Sequence, residues 1–279
     1  MSRIVCLNGK FVNENEATIS PNDRGFIFAD GVYEVTKYYN GKPFRFNDHI
    51  TRLKRSLNEL GIVYNQIDKL SEISQQLLEL NGLQNEHAGV YWQITRGANK
   101  RVHHFPKEIE PTFYAFAYSM PSDTDKQVKG ISTILRDDIR WKRCDIKSVS
   151  LLPNTMLYNE AVENGAGECI LFRDGYITEA THSSVIAVKE GVIVTRPLSN
   201  LILPGITRKV ILELCSENGI PVSERLFTEE ELFNMDELFI CGTGSEITPV
   251  VSVEGKPVGA GTPGQITRKL QHLFFDLTK

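Results

Sequence analysis

A lysine within the segment 136–164 has the surroundings expected of a reactive amine. Lys147 follows Cys-Asp-Ile and precedes an apolar stretch that includes Val149 and Leu151, with three basic residues shortly before it. Removal from water and nearby positive charge both favour the neutral amine, which is nucleophilic and can form a Schiff base. The residues alone leave open the alternative that Lys147 is one solvated charge among the 31 lysines and arginines of the chain.

Arg101 and His103 lie in a polar loop, GANKRVHHFPKE, between two predicted strands at 90–96 and 112–119. Adjacent side chains of an extended chain point in opposite directions, which argues against a metal site formed by His103 and His104. An arginine and a histidine two positions apart can instead face one carboxylate together. An ordinary exposed loop is the alternative for this stretch.

Three further stretches contain residues that could bind a charged ligand. Glu179 ends a predicted strand, where a glutamate is normally exposed to solvent. Pro204-Gly205 begins a predicted helix, and the free N–H groups at a helix start can bind phosphate. The near-repeat PGQITRK at 263–269 leaves open which of the two helices does so. GTGSEITPV, after a predicted strand at 237–241, is a weak phosphate signal on its own.

Apolar residues recur at helical spacing over 46–61, which predicts an amphipathic helix capped by Asn47 and closed by Gly61. Arg52 falls outside the apolar stripe, so the spacing by itself predicts a solvated charge there. Further helices are predicted at 67–80, 154–164 and 264–277, strands at 130–136 and over much of 168–188, a capping box at 228–231, and hairpin turns at Asn8-Gly9, Asn40-Gly41, Asp174-Gly175 and Glu190-Gly191.

Length and local composition predict two domains. A chain of 279 residues can form one large domain or two of ordinary size. The run of Pro, Ser and Asp after the strand at 112–119 is typical of a linker. We therefore predict an N-terminal α+β domain over 1–119, a linker at 120–126 and a C-terminal α+β domain over 127–279.

Composition argues against several classes of function. The chain is 41% apolar and 24% charged, and no apolar run approaches the ~20 residues that span a bilayer. A net charge of -4 with mixed signs and no basic stripe argues against nucleic acid as a partner. The first residues carry no signal-peptide pattern, so a cytoplasmic location is expected. Five cysteines without CxxC spacing predict neither a disulfide framework nor a metal site, and we expect them to be reduced and mostly buried.

Several segments, read together, resemble one enzyme family. RWKRCDIKSVSLLPN resembles the cofactor-lysine segment of the class IV aminotransferases, which use pyridoxal 5'-phosphate. DRGFIFADGVYEV, ITRGANKRVHHFP, LPGITR and MDELFICGTGSEITPV resemble other segments of that family, in the same order. The resemblance covers nearly all of the chain, and within the family it is strongest to the D-amino-acid aminotransferases. It implies a two-domain α+β fold with the cofactor at the domain interface.

The resemblance also implies roles for individual residues. Lys147 is the catalytic residue, which binds the cofactor and moves a proton as general acid and base. The carboxylate of Glu179 pairs with the pyridine nitrogen, which makes the cofactor an electron sink. Tyr33, Arg101 and His103 bind the substrate, the last two through its α-carboxylate. The residues implied for the phosphate are Arg52, Ile206, Thr207 and Thr243.

The implied reaction is transamination of a D-amino acid with a 2-oxo acid, of the type in which D-alanine and 2-oxoglutarate give pyruvate and D-glutamate. A branched-chain L-amino acid or (R)-amine transaminase, or an aminodeoxychorismate lyase, is the alternative on the same fold. A binder of phosphate ligands without catalysis is the alternative from another class, although such a protein needs neither Lys147 nor Glu179. A homodimer is expected if Arg101 and His103 serve the active site of a partner subunit.

One position departs from the family pattern. Where relatives carry a hydroxyl residue, this chain has His182, within Thr181-His-Ser-Ser184. An imidazole there could reach the phosphate or the substrate pocket, and the sequence leaves the roles of His182 and Ser184 open. The sequence also leaves open the preferred amino donor, the amino acceptor and the pathway.

Overall fold

The computed structural model describes residues 2–279. Its helices and strands form two separate sheets, and the chain divides into two compact units. The first unit extends to Pro121 and also contains Ile146–Ser150, while the second unit consists of Ser122–Asp145 and Leu151–Lys279. The α+β class predicted from the sequence is confirmed. Within the described residues, no helix is long and apolar enough to cross a membrane.

The first unit is built on an antiparallel sheet with the strand order β2-β1-β6-β5-β3-β4. Short 3₁₀ turns occur at Glu14–Glu16 and Ile67–Lys69. The strands and helices of this unit are β1 Ile4–Leu7, β2 Lys10–Asn13, α1 Arg24–Phe28, β3 Gly31–Tyr39, β4 Lys42–Pro43, α2 Phe46–Leu60, α3 Leu70–Leu80, β5 Ala88–Thr95 and β6 Thr112–Ser119.

Turn chemistry and helical periodicity explain much of this unit. Asn8 and Gly9 both have positive φ, as the predicted two-residue hairpin between β1 and β2 requires. Helix α2 ends where predicted, with Gly61 at φ 62°. Its predicted cap is wrong, because Arg45 rather than Asn47 precedes the helix and makes no side-chain cap.

The core of the first unit lies between its sheet and helices α2 and α3. Leu53 on α2, Leu77 on α3 and Trp92 on β5 are fully buried, and burial of each such side chain stabilises the fold by about 2 kcal/mol. The Trp92 indole N–H donates to Ser74 Oγ at 3.0 Å, so its only polar group is satisfied inside the core. This core supports β3, which carries the candidate site residue Tyr33.

The second unit is built on a mixed sheet with the order β12-β11-β10-β13-β14-β7-β8-β9, and β15 pairs with β14. The pairs β7 with β8, β7 with β14, and β11 with β12 are parallel. The elements of this unit are α4 Thr124–Lys129, β7 Ile131–Asp137, α5 Leu152–Glu163, β8 Glu168–Arg173, β9 Tyr176–Ala180, β10 Ser184–Lys189, β11 Val192–Thr195, α6 Ile206–Glu217, β12 Val222–Glu224, α7 Glu229–Leu232, β13 Glu237–Gly242, β14 Glu246–Val253, β15 Lys256–Pro257 and α8 Gln265–Asp276.

Local sequence signals again explain many boundaries of the second unit. Asp174-Gly175 and Glu190-Gly191 take positive φ at the β8–β9 and β10–β11 turns, as predicted. Thr228 and Glu231 form both bonds of the predicted capping box of α7. Helix α5 begins at Leu152, two residues before the predicted start, with Pro153 inside its first turn, where proline is tolerated. The five cysteines are buried and free.

Candidate functional site

Lys147 is fixed to the start of β3 within the first unit. Its backbone carbonyl accepts a hydrogen bond of 3.0 Å from the amide of Tyr33. Its own amide donates to Ser56 Oγ at 3.2 Å. The side chain is half-buried, and Nζ lies 4.2 Å from the centroid of the Tyr33 ring. The structure therefore brings the predicted catalytic lysine and the predicted pocket tyrosine together.

Arg52 is buried, so the solvated charge that helical spacing predicts is wrong. Its Nε and Nη2 donate to the two carboxylate oxygens of Glu34 on β3, at 2.6 and 2.9 Å. His49 Nδ1 lies 2.8 Å from Glu34 Oε2. Burial alone would raise the pKa of Glu34, but Arg52 and the hydrogen bond from His49 outweigh it and hold that pKa well below its usual range. This two-point bond sets the orientation of the Arg52 guanidinium.

Glu34 and His49 are partners that the sequence reasoning did not identify. His49 and Arg52 are three positions apart on α2, so they share one face of the helix, and this spacing is a signal that could have linked them. Glu34 carries no such signal, because only the packing of α2 against β3 brings it near. Burial lowers the pKa of His49, and Arg52 and Lys147 act in the same direction against the opposing effect of Glu34.

Glu179 on β9 is buried in the second unit, so its alternative as an exposed strand-end glutamate is wrong. Arg140 Nη1 donates to its Oε1 at 2.5 Å, and the amide of Leu203 donates to its Oε2 at 3.1 Å. Arg140 is held in turn by Asp138, through bonds of 2.8 Å from Nε and from Nη2. Burial raises the pKa of Glu179 above its ordinary value, although Arg140 and the Leu203 amide oppose the shift. This buried carboxyl group therefore has a fixed direction and an elevated basicity.

The first turn of α6 begins at Ile206 and Thr207, as the predicted phosphate-binding segment requires, and both residues are buried. The first N–H groups of an α-helix have no partner within the helix. Among the residues that the structure describes, no side chain caps this helix start. A Cβ atom added at Gly205 would lie 2.6 Å from Ser184 Oγ, so the glycine keeps this space open next to a hydroxyl.

The near-repeat at α8 has a different environment. The amides of Ile266 and Thr267 donate to Glu237 Oε1 and Oε2, at 3.0 and 2.8 Å. Thr267 Oγ1 also donates to Glu237 Oε2, at 2.7 Å. An internal carboxylate therefore occupies the anion site at this helix start. Neither helix is capped by its own N-cap glycine, but within the residues described here only the amides at the start of α8 are bonded to a side chain, that of Glu237.

Thr243 is half-buried in the turn between β13 and β14. In the same turn Ser245 Oγ lies 3.0 Å from Ser183 Oγ, which follows β9. A Cβ atom at Gly242 would lie 3.0 Å from Ser245 Oγ, so this backbone too is closely approached by a hydroxyl. The sequence reasoning named Thr243 but not the two serines, which no spacing connects.

Arg101 and His103 are exposed and lie around one aromatic ring in the first unit. The Arg101 guanidinium carbon is 5.3 Å from the centroid of the Phe28 ring, and the His103 ring centroid is 5.5 Å from it. The structure therefore places both predicted carboxylate-binding side chains against Phe28, at the end of α1. Sequence reasoning did not single out Phe28.

His182 is half-exposed and stands beside a buried carboxylate in the second unit. Its Nδ1 lies 3.0 Å from Glu168 Oε2, and its ring packs edge-on against Tyr158, with centroids 4.9 Å apart. Thr181 Oγ1 donates to Glu168 Oε1. The position that departs from the family pattern thus lies next to a buried carboxylate inside its own unit.

The fold and these groups of side chains place the protein in a known class. The family model described as amino-transferase class IV matches residues 31–253. The chain belongs to the class IV aminotransferases, as the sequence motifs predict, and it has the two-unit α+β fold predicted for that family.

The similar proteins cover almost the whole chain. D-alanine aminotransferase of Bacillus licheniformis is 42% identical over 268 residues, 96% of this chain and 94% of that protein. D-alanine aminotransferase of Staphylococcus aureus is 43% identical over 272 residues, 97% of this chain and 96% of that protein. Among solved structures, the branched-chain amino acid aminotransferase of Escherichia coli matches with a TM-score of 0.92 at 28% identity, covering 100% of this chain and 95% of that chain.

Proposed function

We propose that this aminotransferase transfers the amino group of a D-amino acid such as D-alanine to a 2-oxo acid such as 2-oxoglutarate. The observation that carries the proposal is the identity of 42–43% to two proteins named D-alanine aminotransferase, over 96–97% of the chain. The branched-chain relative of known structure is 28% identical, a lower value across the same fold. The Arg101–His103 pair also favours a substrate that carries a carboxylate.

Pyridoxal 5'-phosphate is the cofactor that we propose, and the residues present fit it. A phosphate group needs N–H donors at a site with positive potential, and the first turn of α6 offers both, without a capping side chain in the part of the chain that the structure describes. The contrast with α8 strengthens this point, because the same Pro-Gly motif is there already paired with the Glu237 carboxylate. When bound, the cofactor supplies a carbonyl carbon for the amino group and a ring that accepts electrons from the substrate Cα.

The phosphate ligands that we propose are Ile206 and Thr207 at the start of α6, Thr243 in the β13–β14 turn, and Arg52. The buried Arg52 already donates Nε and Nη2 to Glu34. Because those bonds fix its plane, the guanidinium loses little side-chain freedom on binding. Ser184, next to Gly205, is a further hydroxyl at the α6 start.

Lys147 is the residue that we propose to hold the cofactor and to move the proton. Backbone bonds to Tyr33 and Ser56 fix its main chain, and its Nζ lies over the Tyr33 ring. A fixed main chain limits where the amine can travel, so it can take a proton from the substrate Cα and return it to the cofactor carbon from one face. Tyr33 lines the pocket beside that amine.

Glu179 is the residue that we propose to pair with the pyridine nitrogen. Burial raises the pKa of this carboxyl group, and such a group forms a strong hydrogen bond with a protonated ring nitrogen. A passive phosphate binder has no need of a buried carboxylate held by a buried arginine, so the Glu179–Arg140 pair favours catalysis. Arg101 and His103 are the groups that we propose for the substrate α-carboxylate.

A homodimer and a cytoplasmic location remain predictions of the sequence. The exposed Arg101 and His103 are available to a partner subunit, as the family resemblance implies. Sedimentation of the holoenzyme tests the dimer independently of the substrate.

The experiment that tests the substrate class is a half-reaction without 2-oxo acid. D-alanine, L-alanine and L-leucine are added separately to the purified holoenzyme, and the absorbance spectrum of the bound cofactor is recorded. We expect D-alanine alone to change the spectrum. A change with L-leucine alone would instead identify a branched-chain enzyme, and a protein without any bound chromophore would point to a phosphate binder.

A further inference from the structure

A buried arginine holds the centre of the loop that carries Arg101 and His103. Arg24, at the start of α1, is 2% exposed. Its Nη1 donates to the backbone carbonyl of Val102 at 2.6 Å, between the two proposed carboxylate-binding residues. A short bond from a buried cation to a carbonyl is stronger than a neutral hydrogen bond. The backbone between Arg101 and His103 is therefore anchored at its midpoint.

The orientation of Arg24 is itself fixed by a second ion pair. Its Nε donates to Asp30 Oδ2 at 2.7 Å. Arg96 donates to the same carboxylate through Nε at 2.7 Å and through Nη2 at 3.0 Å. Arg96 is buried as well, and its Nη2 also donates to the carbonyl of Leu60 at the end of α2. The network thus connects the loop to the helical core of the unit.

Aromatic rings extend the network to the loop side chains. The Arg24 guanidinium carbon lies 4.6 Å from the centroid of the Phe28 ring, which also contacts Arg101 and His103. The Arg96 guanidinium carbon lies 3.6 Å from the centroid of Phe105, further along the loop. Cations at these distances are attracted to the ring faces. The loop is therefore held through its backbone and through its side chains.

We infer that Arg24 is a positioning residue for the substrate carboxylate, acting through Arg101 and His103. This inference rests on the proposed function, which assigns the carboxylate to those two residues. Arg101 and His103 are exposed, so they would lose side-chain and loop freedom on binding unless the loop is already ordered. The bond from Arg24 to Val102 supplies that order, with Asp30 and Arg96 setting its direction.

The geometry requires a guanidinium. Arg24 donates from Nε to Asp30 and from Nη1 to Val102 at the same time, and these two atoms belong to one rigid plane. A lysine has a single ammonium group and cannot reproduce that plane. Arg24→Lys therefore keeps the charge and removes the two-point bond.

The test compares Arg24→Lys with Arg101→Leu, the double variant, and Arg55→Lys as a control with an exposed arginine on α2. We expect Arg24→Lys to raise the KM for D-alanine about tenfold with a small change in kcat, because the substrate-binding geometry is lost. Amide hydrogen exchange across 98–107 should become faster in the same variant. In the Arg101→Leu background, Arg24→Lys should add little, because both act through one contact.

Three results would overturn the inference. They are an unchanged KM in Arg24→Lys despite faster loop exchange, a fully additive effect in the double variant, and unchanged loop exchange with a raised KM. If Arg101→Leu itself leaves the KM unchanged, the proposed carboxylate role fails, and this inference fails with it. If Arg24→Lys does not fold, Arg24→Gln replaces it in the same experiment. This variant removes one of the two arginines bonded to Asp30, and Arg96 still pairs with the carboxylate.

Discussion

Arg140 donates a hydrogen bond of 2.5 Å to Oε1 of Glu179, and both side chains are buried. Two bonds of 2.8 Å to Asp138 hold the guanidinium in a single plane. Arg140 is thus oriented by one carboxylate and orients another. Arg140 offsets part of the cost of burying the Glu179 carboxylate, but burial has the larger effect, since the pKa of Glu179 lies above its ordinary value.

Glu179→Gln should lower kcat/KM about 10- to 150-fold, the range that corresponds to losing one hydrogen bond to a charged group. The amide keeps the size of the side chain but cannot stabilise a protonated ring nitrogen. Initial rates with D-alanine and 2-oxoglutarate measure the effect. Arg140→Met, which leaves the carboxylate buried without its cation, should also destabilise the fold by ~3–5 kcal/mol. Unfolding in urea separates the two effects, and an equally stable Arg140→Met protein would contradict this account.

Lys147→Ala should lower turnover at least about 1,000-fold while leaving the melting temperature nearly unchanged, because the proposed general base is removed and the amine is not part of the core. Steady-state rates and thermal unfolding test both parts. Lys142→Ala, an exposed lysine of the same segment, is the matched control and should retain activity. Appreciable activity of Lys147→Ala without added amine would refute the assignment.

Acidification should destabilise the protein through His49. Burial lowers its pKa below the ordinary 6.5, so the unfolded chain takes up a proton that the folded chain excludes. The stability from neutral His49 is fully present above pH 6.5 and is lost as the pH falls through the window below it. The pKa of Glu34 is lowered from 4.5, so acid also removes the stability that the ionised Glu34 contributes, but only at more acidic pH.

The measurement for His49 is the urea midpoint between about pH 7.5 and about pH 5.5, where histidine titrates. His49→Gln should show a weaker fall than the wild type across this range. The pKa of Glu179 is raised, so acidification has the opposite effect on stability through this residue. Because Glu179 is present in both proteins, the quantity to compare is the difference in urea midpoint between the wild type and His49→Gln. Parallel curves for the wild type and His49→Gln would show that His49 does not carry the pH dependence.

Gly205→Ala should weaken binding of pyridoxal 5'-phosphate by about tenfold or more, the equivalent of one lost hydrogen bond to a charged group. The Cβ of the alanine would lie 2.6 Å from Ser184 Oγ and would fill the space next to that hydroxyl. The φ of -64° suits alanine, so the substitution introduces no backbone strain. Cofactor titration of the apoprotein measures the affinity. Ser184→Ala in the same chain should restore part of it, and equal affinity in Gly205→Ala would contradict the proposed phosphate site.

His182→Ser should lower the free energy of unfolding by at most ~1 kcal/mol, because the His182 side chain is 54% exposed and lies near Glu168 Oε2 without a hydrogen bond to it. The same replacement in a Glu168→Gln background should have a smaller effect, since the charge is already removed. A double-mutant cycle by urea unfolding measures the coupling. Zero coupling would mean that the 3.0 Å contact does not stabilise the protein.

Much of the local structure was predictable from the sequence because short-range physics determines it. The Asn8-Gly9 turn, the Gly61 end of α2 and the Thr228 capping box each depend on residues within four positions of one another. The Asn47 cap was wrong for a related reason. The chain enters α2 through Arg45 in the left-handed conformation, two residues before the predicted cap, and the Arg45 side chain makes no cap hydrogen bond.

The family was also predicted correctly from the sequence, since several segments, among them those of Lys147 and of α6, resemble family segments in the same order. The roles of Lys147 and Glu179 stay predictions. Their surroundings were decided by the tertiary structure alone. Helical spacing placed Arg52 in solvent, but packing of α2 against β3 buries it against Glu34. Residue types alone left the two similar helix starts at α6 and α8 equivalent; the family resemblance selected α6, and only the structure shows that Glu237 is bonded to the amides at the start of α8. The physical reason is common to both cases: a charge buried beside a distant partner is stabilised by contacts between residues far apart in the chain, and no periodicity of the chain records such contacts.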